Sequence, residues 1–244
     1  MSQVFRSAVR LLVVQASWTY ERLQGVGIGY ASLPLLQPLK PDEARYRAAV
    51  GRSAEYFNAH PYLAGVAVGA AAKAELDGVS GATIQRLKTA LAGPLGSLGD
   101  QFFWIGVCPG VIALMLIAVA LGAGFGAVIG GMAFYLLVRL GVTVWGLRLG
   151  FRSGLAVAGA LTKSGLAEWV RRVGLLAGFA VGVMVPVIAR WFGGPTDRPV
   201  VAVAVSLGLA GGIAAALARF RVPASRRLTL VAMGGVLLWY WSFR

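Results

Sequence analysis

Residues 90–104 read ALAGPLGSLGDQFFW, and the rest of the chain is ordered around them. Gly93, Pro94, Gly96 and Gly99 come first, then the carboxylate Asp100, then Phe102, Phe103 and Trp104. Glycine tolerates positive φ and lets another backbone approach. Pro94 lacks an amide donor and disturbs a helix interior. The stretch therefore predicts a helix break between Gly93 and Gly99. From Gln101 to Val138 no residue is charged. A broken backbone with one acid at the edge of a membrane run is how transporters build sites for ions and polar solutes. Asp100 has a second reading, as the N-cap of the helix that follows.

Composition supports a membrane chain. The 244 residues are 58% hydrophobic and 13% charged, more apolar than a soluble domain of this size requires. The 34 glycines suit helices whose backbones approach closely in lipid. The net charge of +14 is carried mostly between apolar runs. That placement reads as topology charge and contact with anionic lipid, not as a nucleic-acid surface. One cysteine, Cys108, and one histidine, His60, leave no internal disulfide and no multi-histidine or cysteine metal site. No cofactor is implied. Leu11 to Val14 is a short apolar core soon followed by Glu21, so no cleavable signal peptide is expected.

Working outward, apolar residues at Phe5, Val9, Leu12, Val13, Ala16, Tyr20 and Leu23 predict an amphipathic helix over 1–24. Such a helix suits a membrane surface or a partner groove. Asp42 caps a second helix carrying Arg45, Arg47, Arg52 and Glu55. It should end near Asn58, because the residue before Pro61 avoids the α region. His60 to Ala72 is apolar and small; at roughly 20 Å as helix it is short for a full span and reads as a re-entrant arm. Lys73, Glu75 and Asp77 then return the chain to water. Thr83 to Leu91 is a short basic helix.

As one helix, Gln101 to Val138 would be roughly 57 Å long, nearly twice the hydrocarbon core. The glycine-rich patch Gly122 to Gly131 divides it into spans at about 104–121 and 128–147. Arg139 then falls inside the second, snorkelling to the interface or facing the interior. Further spans are expected at about 173–190, 200–218 and 228–243. Arg148, Arg152, Lys163, Arg171 and Arg172 lie in one connection; Arg219, Arg221, Arg226 and Arg227 lie in another. Five spans put both on the side of residues 1–100, which is then the cytoplasm, with the C-terminus outside. The expected fold is an all-α integral membrane protein. An amphipathic helix and broken-helix core occupy 1–105, and a membrane scaffold occupies 106–244. Seven of the nine acids precede residue 101, so the chemistry belongs to the first half.

Three polar clusters stand out: QASWTYERLQ at 15–24, RSAEYFNAHP at 52–61, and Asp100 with Trp104. Sugar sites combine carboxylates and amides, which bond hydroxyls in pairs, with an aromatic face for the ring. On the expected helix Glu55 and Asn58, three apart, share a face and form a hydroxyl clamp. Arg52 and Glu55 have the alternative of a plain surface ion pair. Glu21 and Arg22 suit an interfacial contact. His60 before Pro61 reads as a helix-end hydrogen-bonder rather than a phosphoryl acceptor. Trp18 and Trp104 also suit membrane-interface anchors.

The blocks QASWTYERLQ at 15–24, EYFNAHPYLAG at 55–65 and LAGPLGSLGDQFFW at 91–104, followed by Pro109, occur in a specific order. Over about 5–155 the chain resembles the IID membrane subunit of the mannose/fructose/sorbose family of the bacterial sugar phosphotransferase system. The resemblance implies a translocation subunit in the cytoplasmic membrane. It would form a hexose path with a IIC subunit, and soluble IIA and IIB proteins would supply the phosphoryl group through their histidines. No catalytic residue is then expected on this chain. Glu55, Asn58, Asp100 and Trp104 become the candidate sugar contacts; Gln15, Trp18, Glu21 and Gln24 become the candidate subunit interface. Ser53, Ala59 and Cys108 depart from residues usual in the family (His, Thr and Arg). Two other classes compete: a non-transporting membrane regulator or docking subunit of an incomplete phosphotransferase system, and a lipid-directed enzyme. The second would need a nucleophile and base or a metal site, for which one His and one Cys give little support.

Overall fold

The computed structural model describes residues 2–193. Among them the secondary structure is helical, and β pairing is limited to two isolated bridges, Thr19 with Leu23 and Leu23 with Phe57. The helices are α1 (Gln3–Leu11), α2 (Gly25–Ser32), α3 (Glu43–Ser53), α4 (Ala64–Leu76), α5 (Gly81–Asp100), α6 (Cys108–Ala118), α7 (Gly124–Ser153), α8 (Val157–Lys163) and α9 (Leu166–Gly193). Wider π-type turns at Gln101–Val107 and Val119–Ala123 flank α6. The chain forms two compact units. One comprises Met1–Trp104 with Phe134–Arg172; the other comprises Ile105–Ala133 with Val173–Arg244. The expected spans at 200–218 and 228–243 lie outside the described residues.

The first unit is built around α4. From Ala64 to Ala72 this helix is apolar on every side and buried without a break. A helix with no polar face must be enclosed. Glycine makes the enclosure possible. Gly65 and Gly69 on α4 face Gly146 and Gly150 on α7, each pair four apart. A Cβ on Gly69 would strike Leu147 O, and one on Gly150 would strike Val66 O. Backbones packed this closely are the small-residue contact of membrane helices.

A charge cluster ties α3, α4 and α5 together. Glu75, expected in water, is 3% exposed and accepts from Arg52 Nε at 2.8 Å and Nη2 at 2.6 Å. Arg52 thus pairs with Glu75 on α4, not with Glu55. Arg45 Nη2 donates to the Glu75 and Leu76 carbonyls. Lys88, 2% exposed on α5, donates to the carbonyls of Arg52 at 2.6 Å and Ser53 at 3.3 Å. A buried cation is tolerable here because it meets the last carbonyls and the negative dipole at the end of α3.

Several sequence expectations are corrected. The helix does not break between Gly93 and Gly99: α5 is continuous from Gly81 to Asp100 with Pro94 inside it. Pro94 and Gly93 are exposed, with open space beside Gly93. Gly99 is used for close packing instead, since a Cβ there would strike His60. Helix continues on both sides of Asp100, so it caps nothing; the irregular turns come after it. The N-terminal helix is capped by Ser2 and stops at Leu11 instead of running to residue 24. It buries Ser7, Ala8 and Leu11 and leaves the expected apolar stripe of Phe5 and Val9 about half exposed. Asp42 does cap α3, accepting from Arg45 N at 3.0 Å. That helix ends at Ser53, however, so Glu55 and Asn58 do not share a helix face.

One helical run, Gly81–Lys163, is the only one among the described residues long and apolar enough to cross a membrane. It would measure roughly 125 Å if straight, far more than one crossing. Gly122 and Gly124, at φ +93° and +61°, turn it back within the second unit. There Gly131 of α7 meets the Met115 side chain of α6. Leu121, Phe125, Ile129 and Met132 lie 56–76% exposed, a surface suited to lipid.

Gly150→Val would force α4 and α7 apart. The expected loss is about 1–3 kcal/mol or more, typical of overpacking. Thermal unfolding of purified protein in detergent, compared with Gly159→Val at an open glycine, reads it.

Candidate functional site

The candidate residues gather on the loop between α3 and α4. Its shape is set from the N-terminal segment. Gln24 Nε2 donates to Ala59 O at 2.6 Å, and Ala59 N donates back to Gln24 Oε1 at 3.4 Å. Gln24 N donates to Phe57 O at 3.0 Å, and Phe57 N to Arg22 O at 3.3 Å. This backbone pairing holds 22–24 out of helix, and Leu23 takes a positive φ of +48° to reach it. Pro61 then bars His60 from the α region and fixes the turn into α4.

His60 is the centre of the arrangement. It is 2% exposed, lies parallel to Phe103 with ring centroids 5.0 Å apart, and meets Tyr62 edge-on at 4.9 Å and Trp104 at 5.3 Å. Its Nδ1 accepts from Tyr62 N at 3.3 Å, the helix-end role expected of it. The ring proton of neutral imidazole then sits on Nε2, a buried atom with no hydrogen-bond partner. Burial pushes the pKa down to about 4, against the opposing charge of Asp100.

Helix α7 supplies the other wall. Tyr135 donates its hydroxyl to Tyr62 at 3.3 Å, and Thr143 Oγ1 donates to Tyr62 O at 3.4 Å. Arg139 settles the choice left open for it by turning inward. Its guanidinium lies 4.4 Å from the Tyr62 ring centroid, and its Nη2 donates to Leu12 O at 2.9 Å. A cation over an aromatic face is stabilised by the ring quadrupole.

The structure separates the sugar candidates. Asp100 and the half-exposed Trp104 belong to the His60 surroundings. Glu55 is exposed, and its charge acts on Arg52 and Lys88 of the helix cluster. Asn58 is exposed on the loop between. Among the interface candidates Gln15, Trp18 and Glu21 are exposed, whereas Gln24 is 3% exposed and holds the loop. Sequence reasoning missed Tyr62 and Tyr135 and left the direction of Arg139 open. The aromatic triplet was visible, but its joining to residues 62 and 135 depends on the α4–α7 contact. Among the described residues no group of three His, Cys, Asp or Glu side chains could hold a metal.

Among the described residues the arrangement is helical, with one run long and apolar enough to cross a membrane, and its polar and aromatic groups collect beside an irregular helix junction. A sequence model of the PTS system mannose/fructose/sorbose family IID component matches residues 1–191, and the chain belongs to that family. It is 28% identical over 197 residues to the fructose permease IID component of Bacillus subtilis, covering 78% of this chain and 69% of that one. It is 30% identical over 190 residues to the mannose-specific EIID component of Escherichia coli K12, covering 72% and 64%. The chain thus spans about two-thirds of the length of these relatives. Its fold matches a chain of the mannose transporter ManYZ in complex with microcin E492, with TM-score 0.57 at 24% identity over 75% of this chain and 69% of that one.

The neutral, buried His60 makes stability depend on pH. Its folded pKa of about 4 lies below the ordinary 6.5, so the unfolded chain binds more protons between those values. Stability should be full above about pH 6.5 and fall as pH drops toward 4. Melting temperatures across this range check it, and His60→Gln should flatten the slope.

Proposed function

We propose that this chain forms part of a sugar path in the bacterial cytoplasmic membrane together with a IIC-type subunit. Uptake is coupled to phosphorylation by soluble IIA and IIB proteins. The observation that carries the reading is the family match over residues 1–191, which includes the whole His60 arrangement. The E. coli relative is named mannose-specific and the B. subtilis relative is named a fructose permease, which supports a hexose-type solute.

In this reading Asp100 accepts hydrogen bonds from sugar hydroxyls and Trp104 offers its face to the ring. Carboxylate and indole lie within one turn of each other, a pairing suited to a solute with both hydroxyl and C–H surfaces. Glu55 and Asn58 take a separate position on the path, as loop residues rather than a helix-face clamp. Gln15, Trp18 and Glu21 contact the IIC subunit, while Gln24 supports them from inside. Residues 1–100 face the cytoplasm, five spans cross the bilayer, and the C-terminus lies outside, on the distribution of Lys and Arg.

Asp100→Asn and Trp104→Ala should each lower labelled-hexose uptake at least tenfold in cells deleted for their own hexose permeases. Glu55→Gln should lower it too. Membrane insertion and co-purification with the small membrane partner should persist. Wild-type uptake in the Asp100 and Glu55 variants would remove them from the path, and a wild-type chain that takes up no sugar with its partner present would favour the docking-subunit reading.

A further inference from the structure

A groove of about 220 Å³ opens on the first unit, separated from His60 by the Phe102 and Phe103 rings. Its walls are Phe102, then Gly141, Val142 and Trp145 from one face of α7, then Ser164, Leu166 and Trp169 at the α8–α9 corner. The wall is mainly apolar. Its one hydroxyl is already engaged: Ser164 Oγ donates to Leu161 O at 2.6 Å and accepts from Leu166 N at 3.3 Å. The groove therefore asks for hydrocarbon.

Its rim asks for something else. From Trp145 to Arg172 the chain carries five cations, Arg148, Arg152, Lys163, Arg171 and Arg172, against the single acid Glu168. Glu168 is shared by Arg171 at 2.7 Å and Arg172 at 2.8 Å, so those three groups still sum to a positive charge. The Arg172 guanidinium lies 5.8 Å from the ring centroid of Trp169, a groove wall. Arg148 stands three residues beyond Trp145 on α7, and Lys163 adjoins Ser164. Both are exposed and have no ion-pair partner among the described residues.

We propose that this groove seats one anionic phospholipid, its acyl chain between Trp145 and Trp169 and its phosphate against Lys163, Arg148 and Arg172. Indoles prefer the membrane–water boundary, and basic residues beside them attract acidic headgroups. A free phosphate would use the rim and leave the apolar wall unfilled. A neutral lipid would fill the wall and leave the cations unmatched. An anionic lipid uses both. The bound lipid would fix the α7–α9 corner at the membrane surface, independently of any sugar.

The test uses the full chain in detergent micelles. Native mass spectrometry follows retention of palmitoyl-oleoyl phosphatidylglycerol against an equimolar amount of the phosphatidylcholine. The wild type should retain the anionic lipid at least fivefold over the neutral one, and millimolar inorganic phosphate should not displace it. Arg148→Gln with Lys163→Gln should make the two lipids equal. Trp145→Ala with Trp169→Ala should lose both, and Arg86→Gln, an exposed cation elsewhere on α5, should change nothing. Equal retention by the wild type, which needs no variant, would overturn the proposal. So would unchanged selectivity in the Arg148/Lys163 variant, or displacement by phosphate alone, which would assign the rim to a free anion. Crosslinking from Trp169→Cys to a protein subunit in place of lipid would overturn it as well.

Discussion

Helix α4 can be enclosed only because four glycines let two backbones touch. Gly69 and Gly150 leave no room for a Cβ without moving main chain, Gly65 is held tightly against Thr143 O, and Gly146 meets the Val66 side chain. In lipid there is little hydrophobic drive to bring helices together, so close van der Waals contact supplies the attraction. The contact also sets a register. It holds the start of α4 beside the stretch of α7 that carries Tyr135, Arg139 and Thr143. The wall around His60 and Tyr62 follows from that register, since Tyr62 bonds with Tyr135 and Thr143 and lies under Arg139.

A second constraint acts through charge. Removing Glu75 from water is costly, and the bidentate Arg52 contact offsets that cost only while α3 and α4 keep their geometry. Lys88 extends the network to α5, which runs unbroken from there to Asp100. The twelve helical steps from Lys88 to Asp100 span about 18 Å.

The membrane class, the cap at Asp42, the turn near Gly122 and the short apolar segment after Pro61 were legible in the sequence. Each depends on local composition or on steric rules within a few residues. The behaviour of 90–104 was not legible in the same way. Gly93, Pro94, Gly96 and Gly99 favour a break by propensity alone, yet α5 passes through them. Helix continuity there is supported by packing: His60 fits where a Cβ of Gly99 would stand. The N-terminal stripe misled for a related reason. Residues 12–24 have helical periodicity, but the backbone of Arg22 and Gln24 pairs with Phe57 across the fold.

The sequence by itself determined that this is an apolar, glycine-rich, basic chain of helices belonging in a membrane, because those properties are sums over residues or short steric patterns. Which polar groups meet was decided by tertiary structure alone. Glu75 rather than Glu55 receives Arg52, Arg139 turns in toward Tyr62, and Asp100 joins His60 apart from Glu55. Those outcomes depend on contacts between residues tens of positions apart, and on glycine contacts whose value is zero until the second helix arrives.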